Sequence, residues 1–193
     1  MMIRPATRSD APHMCTFIDM AGNGLAGALW LDLAAPGQSI LEIGRSRAIR
    51  DSGDFSWRNT HILEIDGEPA GMVMGFRVPD PYHPPEISAL HRVVRPLVEL
   101  EALAAGSWYL NALAVYPEFR NRGLGKELIR KAEALARDAG ADRISLIVVS
   151  ANEGACAFYR KLGFSEGGRR PFVPFSDWGK GSDCILMFKE LTQ

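Results

Sequence analysis

Apolar and polar positions change period several times along the chain, and each change marks a predicted element. The clearest helical repeat lies over residues 123–139, where Leu124, Leu128, Ala132, Leu135 and Ala139 share one face. Before it, 108–115 is an apolar strand closed by Tyr116-Pro117. After it, 143–149 is continuously apolar, as expected of a strand buried on both faces. A helix over 151–162 stops at Gly163. Two last strands, 164–170 and 184–191, flank a loop rich in Pro, Gly and aromatics.

The first half is less regular. Residues 3–5 read as a strand. Ser9 or Asp10 can cap a helix running through Phe17 and Met20, which Gly22-Asn23-Gly24 stops. A second helix covers 39–50, with Ile40, Ile43 and Ile49 on one side. Residues 25–38 fit helix or loop equally. Residues 61–65, the turn Asp66-Gly67-Glu68-Pro69 and residues 70–78 predict a β-hairpin. Four prolines make 79–85 irregular, and Pro96 should kink or split the helical pattern of 86–104. The order β-α-α-β-β-α-β-α-β-α-β-β predicts one mixed α/β domain over residues 1–193.

Composition narrows the function classes. With 47% hydrophobic and 23% charged residues among 193, the chain is neither disordered nor fibrous. Lys plus Arg total 22 against 23 acidic residues, a net charge of -1. A surface devoted to nucleic acid or anionic lipid would usually be basic, so neither partner is expected and any anion site must be local. Cys15, Cys156 and Cys184 are widely spaced without a C-x-x-C pair, which argues against a disulfide framework or zinc site and for a reducing compartment. His13, His61, His83 and His91 show no metal-ligand spacing, so no metal is expected. Arg8 and Asp10 interrupt any leader-like apolar run. The most apolar stretch, 25–35, contains Asp32 and falls short of the roughly 20 residues a membrane span needs. A cytoplasmic location is expected.

Candidate chemistry concentrates at the start of the best helix. Pro117-Glu118-Phe119-Arg120-Asn121-Arg122-Gly123-Leu124-Gly125-Lys126 joins strand to helix, and its two glycines let backbone approach a ligand closely. The helix N-terminus offers free amides and a positive dipole end, which suit phosphate. Arg120, Arg122, Lys126, Arg130 and Lys131 add five cations within twelve residues. A tight turn before a solvated basic face is the competing reading. A Walker A loop would need glycine at Arg120, and a dinucleotide-binding loop would need glycine at Leu128; both fail.

Leu113-Ala114-Val115-Tyr116-Pro117 followed by Arg120-Asn121-Arg122-Gly123-Leu124-Gly125 resembles the first motif block of the GNAT superfamily of acyl-CoA-dependent N-acyltransferases. A second block resembles theirs too: the strand at 144–149, then Asn152, Ala157-Phe158-Tyr159 and Leu162-Gly163-Phe164. The resemblance covers residues 60–191 well and the first sixty only in element order. It implies a GNAT-like α/β fold, with a mostly antiparallel sheet of six to seven strands and flanking helices. It also implies acetyl-CoA as co-substrate. Backbone groups of Leu113, Ala114 and Val115 would pair with the pantetheine arm like an added strand. Amides from Asn121 to Lys126 would hold the pyrophosphate beside Arg120 and Arg122. Asn152 would bond the pantetheine, and Tyr159 would be the general acid near the thiol.

The implied reaction is direct attack of an amine on the thioester. It needs a proton path from the ammonium, a donor for the developing oxyanion and a proton for the leaving thiolate. Some relatives that acetylate protein N-termini place a glutamate where this chain has Ile147. On the strand where others carry a carboxylate, the polar residues here are Tyr109 and Asn111. Asn111 cannot accept a proton at neutral pH but could orient a water or the amine. Glu101 is the reserve base, behind a water relay. Phe172, Phe175 and Trp178 suit either an acceptor pocket or packing of their loop. The acceptor, a small-molecule or peptide amine, cannot be read from the sequence, and a homodimer stays open. The rival is a catalytically silent acyl-CoA-binding sensor, which the missing carboxylate permits.

Overall fold

The computed structural model describes residues 1–191. Its strands are β1 (Met2–Pro5), β2 (Thr60–Ile65), β3 (Glu68–Arg77), β4 (Trp108–Val115), β5 (Arg143–Val149), β6 (Ser165–Pro171) and β7 (Asp183–Glu190). They hydrogen-bond in the order β1-β2-β3-β4-β5-β7-β6. Pairing is antiparallel in β1–β2, β2–β3, β5–β7 and β6–β7, and parallel in β4–β5. The helices are α1 (Ala11–Ala21), α2 (Leu25–Asp32), α3 (Ile40–Ala48), α4 (Arg95–Ala102), α5 (Leu124–Asp138) and α6 (Glu153–Lys161). The mixed sheet agrees with the sequence reading.

The chain forms two compact units. The first comprises Met1–Gly75 and Asn111–Ala132; the second comprises Phe76–Leu110 and the residues from Glu133 on. In the first, α1 presents Met14, Phe17 and Ile18 to a core shared with Ile62, Met72, Met74, Ala112 and Ala114. The hairpin turns on Asp66 and Gly67, whose φ angles of 53° and 85° are the left-handed pair that a two-residue turn between twisted strands requires. Gly71 marks a close approach: a Cβ there would stand 3.0 Å from the Ala114 carbonyl oxygen and 3.2 Å from Leu128. On α5, Leu128 and Ala132 are fully buried, as the helical repeat predicts.

Residues 25–38, open in sequence, contain α2. Trp30 is its buried anchor and lies on Gly44 of α3, where a Cβ would come within 2.7 Å of the indole. The long helical pattern over 86–104 is a correction. A short 3-10 turn, Ile87–Ala89, precedes α4, and Pro96 sits in the first turn of that helix. Proline there lacks an N–H that would have no partner anyway, so it starts the helix instead of kinking it.

Asp10 ties the N-terminal segment together. Its carboxylate accepts two hydrogen bonds from Arg4 at 2.8 Å and one from the Thr7 amide at 2.7 Å. Arg4 lowers its pKa from 3.8 to about 2. A carboxylate depressed in the folded state adds stability above its unfolded pKa, and loses it as pH falls through the folded one. Asp10→Asn is therefore expected to cost roughly 2 kcal/mol near neutral pH. In urea unfolding, its deficit against wild type should shrink between about pH 4 and about pH 2.

In the second unit, Ser107 donates its hydroxyl to the Ala104 carbonyl, and the Ser145 hydroxyl lies 2.6 Å from the Ser107 oxygen. These buried hydroxyls join the start of β4 to β5, where Trp108, Tyr109 and Leu110 pair with Ile144, Ser145 and Leu146.

Candidate active site

The first unit carries the strand end, the turn and the helix start. On β4, Ala112 and Ala114 face the core, Leu113 and Val115 are half-buried and Asn111 is exposed. A 3-10 turn, Pro117–Phe119, follows. Asn121 and Gly123 then adopt left-handed φ angles of 61° and 78°. Two such residues around Arg122 swing the backbone into a loop whose amides find no internal partner. Among the described residues, the N–H groups of Asn121 through Gly125 donate to no carbonyl or side chain, and the first helical bond runs from Lys126 N–H to the Gly123 oxygen. Unpaired amides at the positive end of a fifteen-residue helix match an anion. A Cβ built on Gly123 would meet nothing within 4 Å, so the space above the turn is open. The residues present fit a diphosphate.

The cations are more specialised than the sequence shows. Arg120 donates from Nε to the Val115 carbonyl at 3.2 Å, fastening the turn to the end of β4. That carbonyl was expected to meet the pantetheine arm, and it keeps one lone pair for it. Arg122 donates to the Glu118 carbonyl at 3.2 Å and lies over the Phe119 ring at 5.4 Å. Each guanidinium retains further N–H groups. Arg130 pairs with Glu127 at 2.6 Å, while Lys126 is exposed at the helix start. Leu124 is buried, so only its backbone can serve a ligand.

The second unit carries α6. Asn152 caps it, its side-chain oxygen accepting from the Ala155 amide at 3.1 Å. This uses the acceptor end and leaves the Nδ2 hydrogens for a ligand carbonyl. Tyr159 sits between Phe158 and Phe164, with ring centroids 5.3 and 5.6 Å away. Burial, with Cys156 close by, pushes its phenol up to about 12. The hydroxyl therefore stays protonated through the neutral range, as a donor must. The cysteines do not compete as nucleophiles. Burial raises Cys15 and Cys184 to about 11, and Cys156 is also raised and lies 3.8 Å from the Val149 carbonyl.

Sequence reasoning missed two polar pairs. His13 Nδ1 and the Tyr116 hydroxyl lie 2.9 Å apart in the first unit, and Tyr82 donates to Glu101 at 3.5 Å in the second. Neither pair has a local pattern to betray it, since the partners stand 103 and 19 positions apart. Among the described residues, no cluster of His, Cys, Asp or Glu could hold a metal ion, and no helix is long and apolar enough to cross a membrane.

The acetyltransferase (GNAT) family model matches residues 28–164, most of the chain. The chain belongs to this family. Among curated relatives, a Bacillus subtilis protein provisionally named a [ribosomal protein bS18]-alanine N-acetyltransferase is 33% identical over 81 residues, 42% of this chain and 52% of that protein. The chain thus spans about half the length of that relative. Two solved structures share the GNAT fold at low identity. The Brucella melitensis ribosomal-protein-alanine N-acetyltransferase has a TM-score of 0.61 and 21% identity, covering 99% of this chain and 100% of that one. A GNAT-like decarboxylase in complex with isobutyryl-CoA has a TM-score of 0.63 and 18% identity, with full coverage of both chains. The family match includes β4, the 120–125 turn, α5 and α6 with Tyr159, the same segments that carry the unpaired amides and the half-buried phenol.

Proposed function

We propose that this protein is a cytoplasmic acetyl-CoA-dependent N-acetyltransferase, acting as one N-acetyltransferase domain over residues 1–193 and moving an acetyl group to an amine by direct attack. The observation that carries the reading is the row of unpaired amides from Asn121 to Gly125, at the start of α5 and inside the family match. Those amides would take the pyrophosphate, with Arg120, Arg122 and Lys126 adding charge. Leu113, Ala114 and Val115 would offer backbone groups to the pantetheine arm and a donor to the developing oxyanion. Asn152 would donate from Nδ2 to a pantetheine carbonyl.

When bound, the acyl-CoA supplies an activated acetyl thioester. The chain's own residues orient it, and Tyr159 holds a proton for the sulfur. Exposed Asn111 would orient the amine or a water. The acceptor is a small-molecule or peptide amine; the balanced charge gives no field to gather nucleic acid or an anionic membrane. Support also comes from the N-acetyltransferase names of the relatives and from the acyl-CoA bound to a protein of like fold.

The test is thiol release from acetyl-CoA and longer acyl-CoAs over a broad panel of amines, with binding measured by calorimetry. Turnover of an amine with acetyl-CoA is the expected result. Tight acyl-CoA binding without thiol release from any amine would instead identify the silent sensor.

A further inference from the structure

One polar cluster in the second unit lies outside the turn and strand end proposed to hold the acyl donor. Tyr82, in the proline-rich segment after β3, donates its hydroxyl to Glu101 Oε2 at 3.5 Å, and Glu101 belongs to α4. Tyr109 of β4 packs with Tyr82 in one apolar cluster that also contains Leu100, Cys184 and Ile147. Glu101, Tyr82 and Tyr159 all lie within electrostatic reach of the Tyr109 phenol. A carboxylate and three phenols, one of them the Tyr159 proposed as the acid of the reaction, therefore share one neighbourhood. Phe172 packs on the same cluster and carries Phe175 and Trp178, with ring centroids 6.0 and 5.8 Å away.

This surround has a definite chemical preference. A carboxylate amid apolar rings attracts an ammonium more strongly than it would in water, because the local dielectric is lower. Aromatic faces also favour a cation and an apolar body, and they offer little to a chain of several solvated charges. Tyr82 donates to the Glu101 carboxylate, and burial holds the Tyr109 phenol protonated, which leaves the base role to Glu101. Resting on the N-acetyltransferase reading, we infer that Glu101, flanked by Tyr82 and Tyr109, binds the ammonium of an apolar monoamine acceptor and takes its proton.

The step balances as follows in atoms and electrons. One ammonium proton passes to a Glu101 carboxylate oxygen, and the freed lone pair forms the N–C bond to the thioester carbonyl. The C–S bond breaks with its electron pair on sulfur, which takes the Tyr159 proton. The second proton lost by nitrogen restores Tyr159, and Glu101 returns its own to solvent. Ammonium and thioester become amide, thiol and one released proton. Tyr82 is a positioning residue for the Glu101 carboxylate.

The experiment uses the full chain, acetyl-CoA and two probe amines, phenethylamine and spermidine, with thiol release as the readout. Phenethylamine should exceed spermidine at least about 10-fold in kcat/KM. Glu101→Gln should lower kcat with phenethylamine by about 100-fold, the scale of a lost general base, while the acetyl-CoA Kd stays unchanged. Glu101→Asp should recover part of that loss, and Tyr82→Phe should act mainly on KM. Wild-type kcat in Glu101→Gln would overturn the inference, as would a preference for spermidine. Loss of acetyl-CoA binding in Glu101→Gln without recovery in Glu101→Asp would mark Glu101 as structural and overturn it too. If wild type uses another amine of the broad panel but not phenethylamine, the acceptor class fails while the acetyltransferase reading stands. If it binds acetyl-CoA and releases thiol with no amine, that reading fails, and this one with it.

Discussion

Tyr159→Phe is expected to slow acetyl transfer by roughly 10- to 10⁴-fold, the range for a lost general acid widened for rescue by water. The substitution removes one hydroxyl and keeps the ring, so packing on Phe158 and Phe164 survives and acetyl-CoA should still bind. Its effect belongs in kcat, because sulfur gains charge only as the C–S bond breaks. A phenol at about 12 is a weaker acid than a thiol near 8.5, so full proton transfer from Tyr159 to a free thiolate after bond cleavage is uphill. Donation must accompany the departure of the thiolate. The same elevation implies no loss of rate from Tyr159 ionisation until well into the alkaline range. Single-turnover rates for both forms are the direct comparison. A Phe variant at the wild-type rate, with chemistry shown to limit, would reduce Tyr159 to a core aromatic.

Gly123→Val should abolish measurable acetyl-CoA binding, or weaken it by at least about 100-fold, while the protein remains folded. Two separate effects act at this position. With φ at 78°, any L side chain is strained there, at about 1–2 kcal/mol, and a β-branched one is worst. In the free protein the new side chain meets nothing within 4 Å, so no clash adds to that strain. A diphosphate held by the amides of the turn is expected to need that open space, and the branched side chain would occupy it. Gly123→Ala carries a similar backbone cost with a smaller group, so it separates strain from occlusion: it should bind more weakly than wild type but better than the valine variant. Calorimetry gives the affinities and circular dichroism the fold. A folded valine variant with unchanged affinity would remove the phosphate site from this turn.

Both substitutions act at positions that local pattern exposes. Gly123 opens a helix after an apolar strand, and Tyr159 stands out through the resemblance of its motif block, seven residues after Asn152. The neighbouring assignments were less legible. Arg120 and Arg122 count as phosphate cations by position alone, yet each also bonds a carbonyl that shapes the turn. Glu101 reads as a helix-end acid, and only folding gives it Tyr82 and Tyr109 as company.

The sequence by itself determined the elements whose instructions are local. Leu124, Leu128 and Ala132 repeat at helical spacing and are buried on α5; Asp66-Gly67 turns the hairpin because two adjacent residues can take left-handed φ; the 120–125 turn ends strand and starts helix through its own glycines. Tertiary structure decided what depends on partners far along the chain. Whether residues 25–32 were helical rested on Trp30 finding Gly44, since α2 leaves Leu31 exposed and shows no apolar stripe to identify it. Ser107 meets Ser145 across 38 positions, and His13 meets Tyr116 across 103. Periodicity encodes which face of an element is apolar. It carries no information about which distant side chain that face will meet, because that choice follows from the order of strands in the sheet.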